Sequence, residues 1–104
     1  MNRGDTLYIS LDYTFNDMPI EEGQFDEIEM TINKQSKSNC IRLTLSNGRL
    51  QWDGTHYYAM LTQEETFKLN DKNEVQTRFR IGNEVESSPI DTIDLGDSLS
   101  KRVL

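Results

Sequence analysis

Apolar residues recur at every second position in three stretches of the chain, and this period constrains the fold more than any other feature. The stretches are residues 7–15, 25–33 and 75–81. Because successive side chains of a strand point to opposite faces, period 2 predicts half-buried strands. A helix competes over 25–33, where Phe25 and Ile28 also fit helical spacing. The alternation of Ile28, Met30 and Ile32 and the β-branched residues there favour a strand.

Turn signals divide the middle of the chain. Asn47-Gly48 and Asp53-Gly54 each follow an apolar segment, and both dipeptides tolerate a positive φ. We therefore predict a three-stranded meander over residues 41–61. Its alternation assigns Trp52 and Tyr58 to the core and Tyr57 to the outer face. Further along, residues 84–94 are predicted to be extended, and Pro89 places part of this segment at a sheet edge or bulge.

A single short helix is predicted near residues 62–68. Thr62 and Glu65 have the spacing of a capping box, in which each side chain binds an otherwise unpaired backbone N–H. Glu64 and Glu65 also suit the positive end of the helix dipole. Between strands, such a helix is expected to carry the chain from the edge of one sheet to the other.

These elements predict the fold class. About seven short strands with frequent turns and one short helical crossover near 62–68 are typical of an all-β, immunoglobulin-like antiparallel β-sandwich. With 104 residues, the chain is expected to form a single domain over residues 1–104. The last segment, residues 96–104, is predicted to be a final strand or a half-turn of helix.

The charge balance argues against two classes of partner. The chain has 18 acidic and 11 basic residues, and its net charge is −7. Nucleic acid and anionic membranes attract basic surfaces, so we expect neither as a partner. No apolar run has the length of a membrane span, and the start of the chain lacks an apolar signal region. We therefore expect the protein to be made and folded in the cytoplasm.

Residues that could carry chemistry are few. His56 is the only histidine and Cys40 the only cysteine, and Cys40 is expected to be a partly buried strand residue. The acidic pairs fall mostly on loops or outward faces, where solvated surface is the expected role. We thus predict no enzyme, no cofactor and no metal, and keep a small hydrolase using an acid pair as a weaker alternative. The tripeptide at residues 3–5, Arg-Gly-Asp, is expected to be a turn before the first strand.

Four outward positions are the candidates for an interface. Tyr8 and Tyr57 are predicted to face away from the core, and so are Arg78 and Arg80 on the strand over 75–81. Exposed aromatic side chains anchor protein interfaces and also stack on sugars. A carbohydrate-binding module that uses Tyr8, Trp52 and Tyr57 is therefore the alternative to a protein-binding one.

An ordered set of short motifs runs through nearly the whole chain. It comprises Gly4-Asp5-Thr6, Pro19, Leu45-Ser46-Asn47-Gly48, Tyr57, Leu61-Thr62-Gln63-Glu64-Glu65-Thr66, Gln76 and Ser87-Ser88. The set resembles small structural proteins of tailed phages and prophages of Gram-positive bacteria, and it is similar to the N-terminal β-sandwich domain of baseplate upper proteins. The resemblance implies a non-enzymatic virion component of a tail, baseplate or neck. Its partners would be other virion proteins and further copies of itself, in a homo-oligomer made in the cytoplasm of a bacterial host.

Overall fold

The structure, a computed structural model, describes residues 2–15, 17–96 and 104, with only the backbone of Phe15. Within these residues there are ten strands and one helix: β1 (Leu7–Ser10), β2 (Thr14–Phe15), β3 (Met18–Pro19), β4 (Glu27–Ile32), β5 (Ile41–Thr44), β6 (Leu50–Trp52), β7 (Tyr57–Leu61), α1 (Gln63–Lys68), β8 (Lys72–Ile81), β9 (Glu84–Ser87) and β10 (Asp91–Asp94). The prediction for residues 96–104 falls on 97–103, outside the described residues.

Two antiparallel sheets enclose one hydrophobic core. The first has three strands in the order β1-β7-β6, and the second has five, in the order β10-β8-β4-β5 with β9 also paired to β8. The short β2 and β3 pair with each other. A single cluster of buried side chains draws on strands of both large sheets, including Leu61 from β7, Ile28 from β4 and Phe79 from β8. The predicted all-β sandwich with one short helix is confirmed.

Period 2 places the core residues of β4 as predicted. Ile28, Met30 and Ile32 are 0%, 1% and 0% exposed, whereas Glu29 and Thr31 between them are only half-buried. Burying apolar side chains of this size stabilises a fold by about 1.5–3 kcal/mol each. β4 lies between β5 and β8, so its inward face meets the centre of the core.

Two of the predicted extended segments, over residues 7–15 and 84–94, are each divided. The strand predicted over 7–15 forms β1 and β2, because the chain turns after Leu11 and pairs Thr14 with Pro19 of β3. The segment over 84–94 forms β9 and β10, which lie along one edge of the five-stranded sheet. Pro89 interrupts that edge, as predicted. There, the N–H of Ser88 still donates to the carbonyl of Thr77 at 2.8 Å, and its hydroxyl, in place of its carbonyl, accepts the N–H of Thr77 at 3.0 Å.

The predicted meander over 41–61 is wrong in its first turn. β5 pairs with β4 in the five-stranded sheet, whereas β6 pairs with β7 in the other sheet, so the Asn47-Gly48 turn connects the two sheets. Gly48 has a φ of 77°, but Asn47 is not among the residues with a positive φ. A two-residue hairpin of type I′ needs a positive φ at both positions. The predicted hairpin at Asp53-Gly54 is confirmed, because β6 pairs with β7 across it.

Helix α1 forms where the capping box predicts it. Thr62 accepts the N–H of Glu65 at 3.2 Å, and the Glu65 carboxylate accepts the N–H of Thr62 at 3.0 Å. The helix joins β7 to β8, which are central strands of their sheets, so the expected passage between sheet edges is wrong. Thr66 is fully buried, and its hydroxyl donates to the carbonyl of Asp5 at 2.8 Å. The helix thereby holds the predicted turn at residues 2–5, where the N–H of Asp5 donates to the carbonyl of Asn2 at 3.1 Å.

Candidate interaction surface

The outer face of the three-stranded sheet exposes tyrosine and methionine side chains on neighbouring strands. Tyr8 is 63% exposed and Met60 is 39% exposed, and the β1–β7 register places them opposite each other. The ring of Tyr58 lies 6.4 Å from the ring of Tyr8, at an interplanar angle of 43°. We call the outward residues Tyr8, Ser10, Gln51, Tyr58 and Met60 the tyrosine face.

Polar groups surround these rings. The hydroxyl of Tyr58 donates to Gln51 Oε1 at 3.1 Å on the neighbouring strand. His56 Nε2 lies 3.1 Å from the hydroxyl of Ser10 and 3.3 Å from Asp53 Oδ2. The tyrosine face therefore combines apolar area with hydroxyl, amide and imidazole groups, which is the composition of surfaces that bind proteins or sugars.

The β6–β7 hairpin positions Tyr58 on this face. Asp53 Oδ1 accepts the N–H groups of Thr55 and His56 at 2.8 and 2.9 Å, which closes the turn. The hydrogen bonds from the backbone of His56 and Thr55 lower the pKa of the Asp53 carboxyl below its ordinary value. The charged form of Asp53 thus stabilises the turn that sets the register of β7.

An ion pair joins the far end of the tyrosine face to helix α1. Arg49 Nη2 lies 2.6 Å from Glu65 Oε1 and also donates to the carbonyl of Met60 at 3.1 Å. Partial burial of Glu65 raises its pKa, but the hydrogen bonds from Arg49 and Thr62 and the charge of Arg49 outweigh burial, so the pKa is lowered overall. Glu65 thus stabilises the helix cap and also holds Arg49 against the end of β7.

Tyr57 does not face outward, so its predicted exposure is wrong. It is 5% exposed, on the same side of β7 as Ala59 and Leu61, both fully buried. Its hydroxyl accepts the N–H of Gly23 at 2.9 Å, and the ring of Trp52 packs edge-on against it with centroids 5.0 Å apart. The strip of Tyr8, Trp52 and Tyr57 considered for sugar binding therefore does not form.

The alternation on β7 is shifted by one residue from the prediction. The sequence predicts Tyr58 in the core, but it lies half-buried on the outer face beside Tyr8. Ala59 and Leu61 were the signal for the correct face, since small and aliphatic residues favour the inner side of a sandwich strand. Reading back from Leu61 at period 2 would have placed Tyr57 inside and Tyr58 outside.

Arg78 is exposed, as predicted, on the outer face of the five-stranded sheet. Its Nε donates to Glu29 Oε1 at 3.2 Å, and Arg42 Nε lies 3.4 Å from the other oxygen of Glu29. Glu29 thus accepts from both neighbouring strands, β8 and β5. Such half-exposed pairs add about 0–1 kcal/mol to stability. The pairing neutralises charge on this face.

The four interface candidates do not come together. Arg80 is also exposed on the five-stranded sheet, where its Nη1 donates to the carbonyl of Gly82 at 3.2 Å. Tyr8 lies on the outer face of the other sheet, and Tyr57 is in the core. The chain therefore presents two separate surfaces, an aromatic one and a charged one, instead of the single interface that four residues could form.

A shallow groove crosses the charged face. It has a volume of about 310 Å³, and the side chains along it include Thr31, Glu74, Gln76, Arg78 and Ile90. Ile90 is 58% exposed and supplies its principal apolar group. The groove lies beside the ion pairs of Glu29. Most of the residues along it are polar or charged, but the atoms that they expose to the groove are mostly apolar.

Among the described residues, three carboxyl groups have a shifted pKa, and all three pKa values are lowered. They belong to Glu27, Asp53 and Glu65. Burial of Glu27 raises its pKa, but hydrogen bonds from Ser46, Ile28 and Leu45 lower it by more. A carboxylic acid that donates a proton near neutral pH needs a raised pKa. These three carboxylates act in turns and a helix cap, so they do not supply the acid of the hydrolase alternative.

Within residues 2–15, 17–96 and 104, His, Cys, Asp and Glu side chains form no group of three that could hold a metal ion. In the same part of the chain, no helix has the length and apolar character needed to cross a membrane. Cys40 is a half-buried free thiol, in agreement with its predicted environment.

Comparison with family models, with curated proteins and with solved structures finds no match for this chain. The resemblance to baseplate upper proteins therefore remains a prediction, and the ordered motif set is its only support.

Proposed function

We propose that the chain is a non-enzymatic assembly module of a tailed-phage particle, in its tail, baseplate or neck, which acts through protein–protein contacts. The observation that carries the proposal is the tyrosine face, where Tyr8 and Met60 remain exposed on a regular sheet beside the half-buried Tyr58. The proposal that this particle is a tailed phage rests on the ordered motif set. The proposed location is the virion, and the proposed partners are other virion proteins and further copies of this chain.

The exposed groups fit a protein partner well. Tyrosine and methionine are enriched in protein interfaces, and buried aromatic anchors carry much of the binding energy. Met60 adapts to irregular partner surfaces because its side chain is unbranched and flexible. The surplus of seven negative charges supports a protein partner over nucleic acid, whose phosphates would be repelled.

Particle composition tests the role. Particles released from a host that carries the gene are purified and analysed by quantitative peptide mass spectrometry. We expect this protein in constant proportion to the tail proteins, with its gene among tail and baseplate genes. A protein absent from purified particles, encoded away from such genes, would refute the assembly role.

A matched pair of variants tests the surface. The Tyr8→Ser and Met60→Ser double variant should fold normally and lose at least about tenfold in incorporation, because it removes two anchors of the tyrosine face. Val85→Ser is the control, since Val85 is 52% exposed on the other sheet. Equal incorporation of both variants would show that assembly uses another surface.

Carbohydrate binding is the second candidate, and one observation favours it. The rings of Tyr8 and Tyr58 lie on the same face, next to the hydroxyl of Ser10 and the amide of Gln51. Exposed rings beside hydrogen-bonding groups can stack on a sugar and orient it. This pair replaces the strip of Tyr8, Trp52 and Tyr57 that the sequence suggested.

Affinity electrophoresis in gels containing bacterial cell-wall polysaccharides distinguishes this candidate. A sugar-binding protein is retarded, and the Tyr8→Ala and Tyr58→Ala variants migrate as they do in a gel without sugar. Ile90→Ala, on the other sheet, serves as the control. Unretarded migration of the native protein in every polysaccharide would remove the candidate.

A further inference from the structure

We propose that β1 is a pairing edge, through which a second copy of this chain adds its own β1 in antiparallel orientation. The two three-stranded sheets would then form one continuous sheet across both copies. The inference rests on the proposed assembly function and names both the partner and the strand that meets it.

The outward backbone N–H and C=O groups of β1 point where an added strand could bind them. Leu11 donates its N–H to the carbonyl of Tyr57 at 2.9 Å, and Ile9 lies opposite Ala59 in the same register. In an antiparallel pair, hydrogen-bonded and non-hydrogen-bonded residue pairs alternate along the strand. The N–H and C=O groups of Tyr8 and Ser10 therefore point away from β7. Over the described residues, no backbone hydrogen bond reaches these outward groups.

At the β5 edge of the five-stranded sheet, the outward backbone groups of Thr44 already have hydrogen-bond partners in the turn that follows β5. On β5 the outward backbone groups belong to Arg42 and Thr44, because Leu45 bonds inward to Ile28. The N–H of Thr44 donates to Asn47 Oδ1 at 3.1 Å, and its carbonyl accepts the N–H of Arg49 at 3.2 Å. An incoming strand would find only Arg42 available.

The remaining edges also carry features that discourage pairing. The β9–β10 edge is interrupted by Pro89 and has acidic residues on both strands, among them Glu86 and Asp91. β6 is three residues long and lies between Arg49 and Asp53. Proline, charge and short length are the usual protections of exposed edge strands. β1 lacks the first two protections, since residues 6–11 contain neither proline nor a charged side chain, and with four residues it is longer than β6.

Charge favours a second copy in one particular register. Tyr8 would lie opposite the partner's Ser10, and Ile9 opposite the partner's Ile9 on the two-fold axis. Asp5 then falls opposite the partner's Tyr13, and Asp12 opposite the partner's Thr6, so no two like charges face each other. The net charge of −7 repels copies elsewhere on the surface, and residues 6–11 are an uncharged run within it.

The same pairing would extend the tyrosine face. Tyr8 and Tyr58 lie on the outer side of the sheet, 6.4 Å apart between rings. In the proposed register, Tyr8 is diagonal to the partner's Tyr8, at a separation that aromatic side chains bridge. The rings of both copies would then form one strip across the joined sheets.

A proline scan at matched edge positions tests the inference. Ser10→Pro removes an outward N–H and obstructs an incoming strand, but edge strands tolerate proline where the N–H faces solvent. Ser87→Pro is the control, because Ser87 also turns its N–H outward, next to the Thr77–Ser88 pair. Sedimentation equilibrium over a micromolar-to-millimolar series gives the mass of each protein, and thermal unfolding verifies that each is folded.

We expect dimers of the native protein and of Ser87→Pro, and dimerisation at least about tenfold weaker for Ser10→Pro. A folded Ser10→Pro variant that dimerises like the native protein overturns the inference, and so does a native protein that stays monomeric. Neither result tests the proposed assembly function, which is refuted only if the protein is absent from purified particles.

A charge exchange tests the register. Tyr8→Glu places like charges on the diagonal across the two-fold axis and should weaken the dimer. Adding Ser10→Lys places each new carboxylate opposite an ammonium group of the partner and should restore the dimer. A double variant that remains as weak as Tyr8→Glu would refute the proposed register.

Discussion

Asn33 donates a hydrogen bond from its side-chain amide to Asn73 Oδ1 at 3.1 Å, and both residues are buried, at 6% and 0% exposure. Asn33 follows β4 with a φ of 64°, and it exchanges hydrogen bonds with the backbone of Glu74. Asn73 Nδ2 donates to the carbonyls of Asn70 and Ile93 at 2.8 and 3.2 Å. One buried amide thus connects the end of β4, the turn after α1 and β10.

Asn73→Ala should therefore be strongly destabilising. The substitution leaves the carbonyls of Asn70 and Ile93 and the amide of Asn33 without this partner, and each unsatisfied buried group costs about 1–3 kcal/mol. We expect the free energy of unfolding in urea to fall by about 2–4 kcal/mol. Asn83→Ala in the exposed β8–β9 turn is the control, with an expected change within about 0.5 kcal/mol. Equal effects of the two substitutions would contradict the role given to Asn73.

Gly4 lies under the ring of Phe67 with a φ of 86°. A Cβ at this position would come within 2.4 Å of Phe67 Cζ. The N–H of Gly4 also donates to the buried hydroxyl of Thr66 at 2.9 Å. The glycine of the Arg-Gly-Asp tripeptide therefore serves to dock the N-terminal turn on α1.

Gly4→Ala should destabilise the fold for two reasons, the positive φ and the contact with Phe67. Gly48→Ala measures the effect of a positive φ alone, because Gly48 has a φ of 77° and a Cβ added there would meet no atom within 4 Å. We expect a loss of about 1 kcal/mol for Gly48→Ala and about 2–3 kcal/mol for Gly4→Ala, both measured by urea unfolding. Identical losses would mean that Phe67 moves aside freely.

Local chemistry made much of the fold predictable. Period 2 identified the inward faces of β4 and β8, because alternation is a property of a single strand and needs no partner. The capping box of Thr62 and Glu65 located α1 for the same reason, since both hydrogen bonds lie within four residues.

The relations between distant segments were not predictable in this way. Asn47-Gly48 has the composition of a hairpin, but whether β6 returns beside β5 or crosses to β7 depends on which sheet each strand joins. The face of Tyr57 could have been predicted from Leu61 at period 2, but its contacts with Gly23 and Trp52 could not, because these residues are distant or lie on another strand. The alternation predicted for β7 is shifted by one residue, so it assigns Tyr58 to the core and Tyr57 to the outer face. The tyrosine face is therefore not predicted from the sequence.

Glu65 should make stability depend on pH in the acid range. Its pKa in the folded protein is below the ordinary value of 4.5, so the folded state favours the carboxylate. The stabilisation is complete above the unfolded pKa and is lost as the pH falls through the folded pKa. Acidification below pH 4.5 should therefore weaken both the ion pair with Arg49 and the helix cap.

Glu65→Gln isolates the charge, because glutamine can still accept the N–H of Thr62 in a capping box. Urea unfolding at a series of pH values should show a shallower loss of stability on acidification in this variant than in the native protein. Glu64→Gln is the control, since Glu64 is an exposed neighbour in the same helical turn. A native slope that Glu65→Gln leaves unchanged would assign the acid sensitivity to other carboxyls.

Two adjacent tyrosines provide the sharpest check of the β7 register. The hydroxyl of Tyr57 is the acceptor for the N–H of Gly23, so Tyr57→Phe should lower the free energy of unfolding by about 1 kcal/mol. The hydroxyl of Tyr58 bonds Gln51 in an exposed position, where water replaces it, so Tyr58→Phe should change stability by less than about 0.5 kcal/mol. If Tyr58→Phe is instead the more destabilising of the two, β7 has the opposite face inward and the tyrosine face is not exposed.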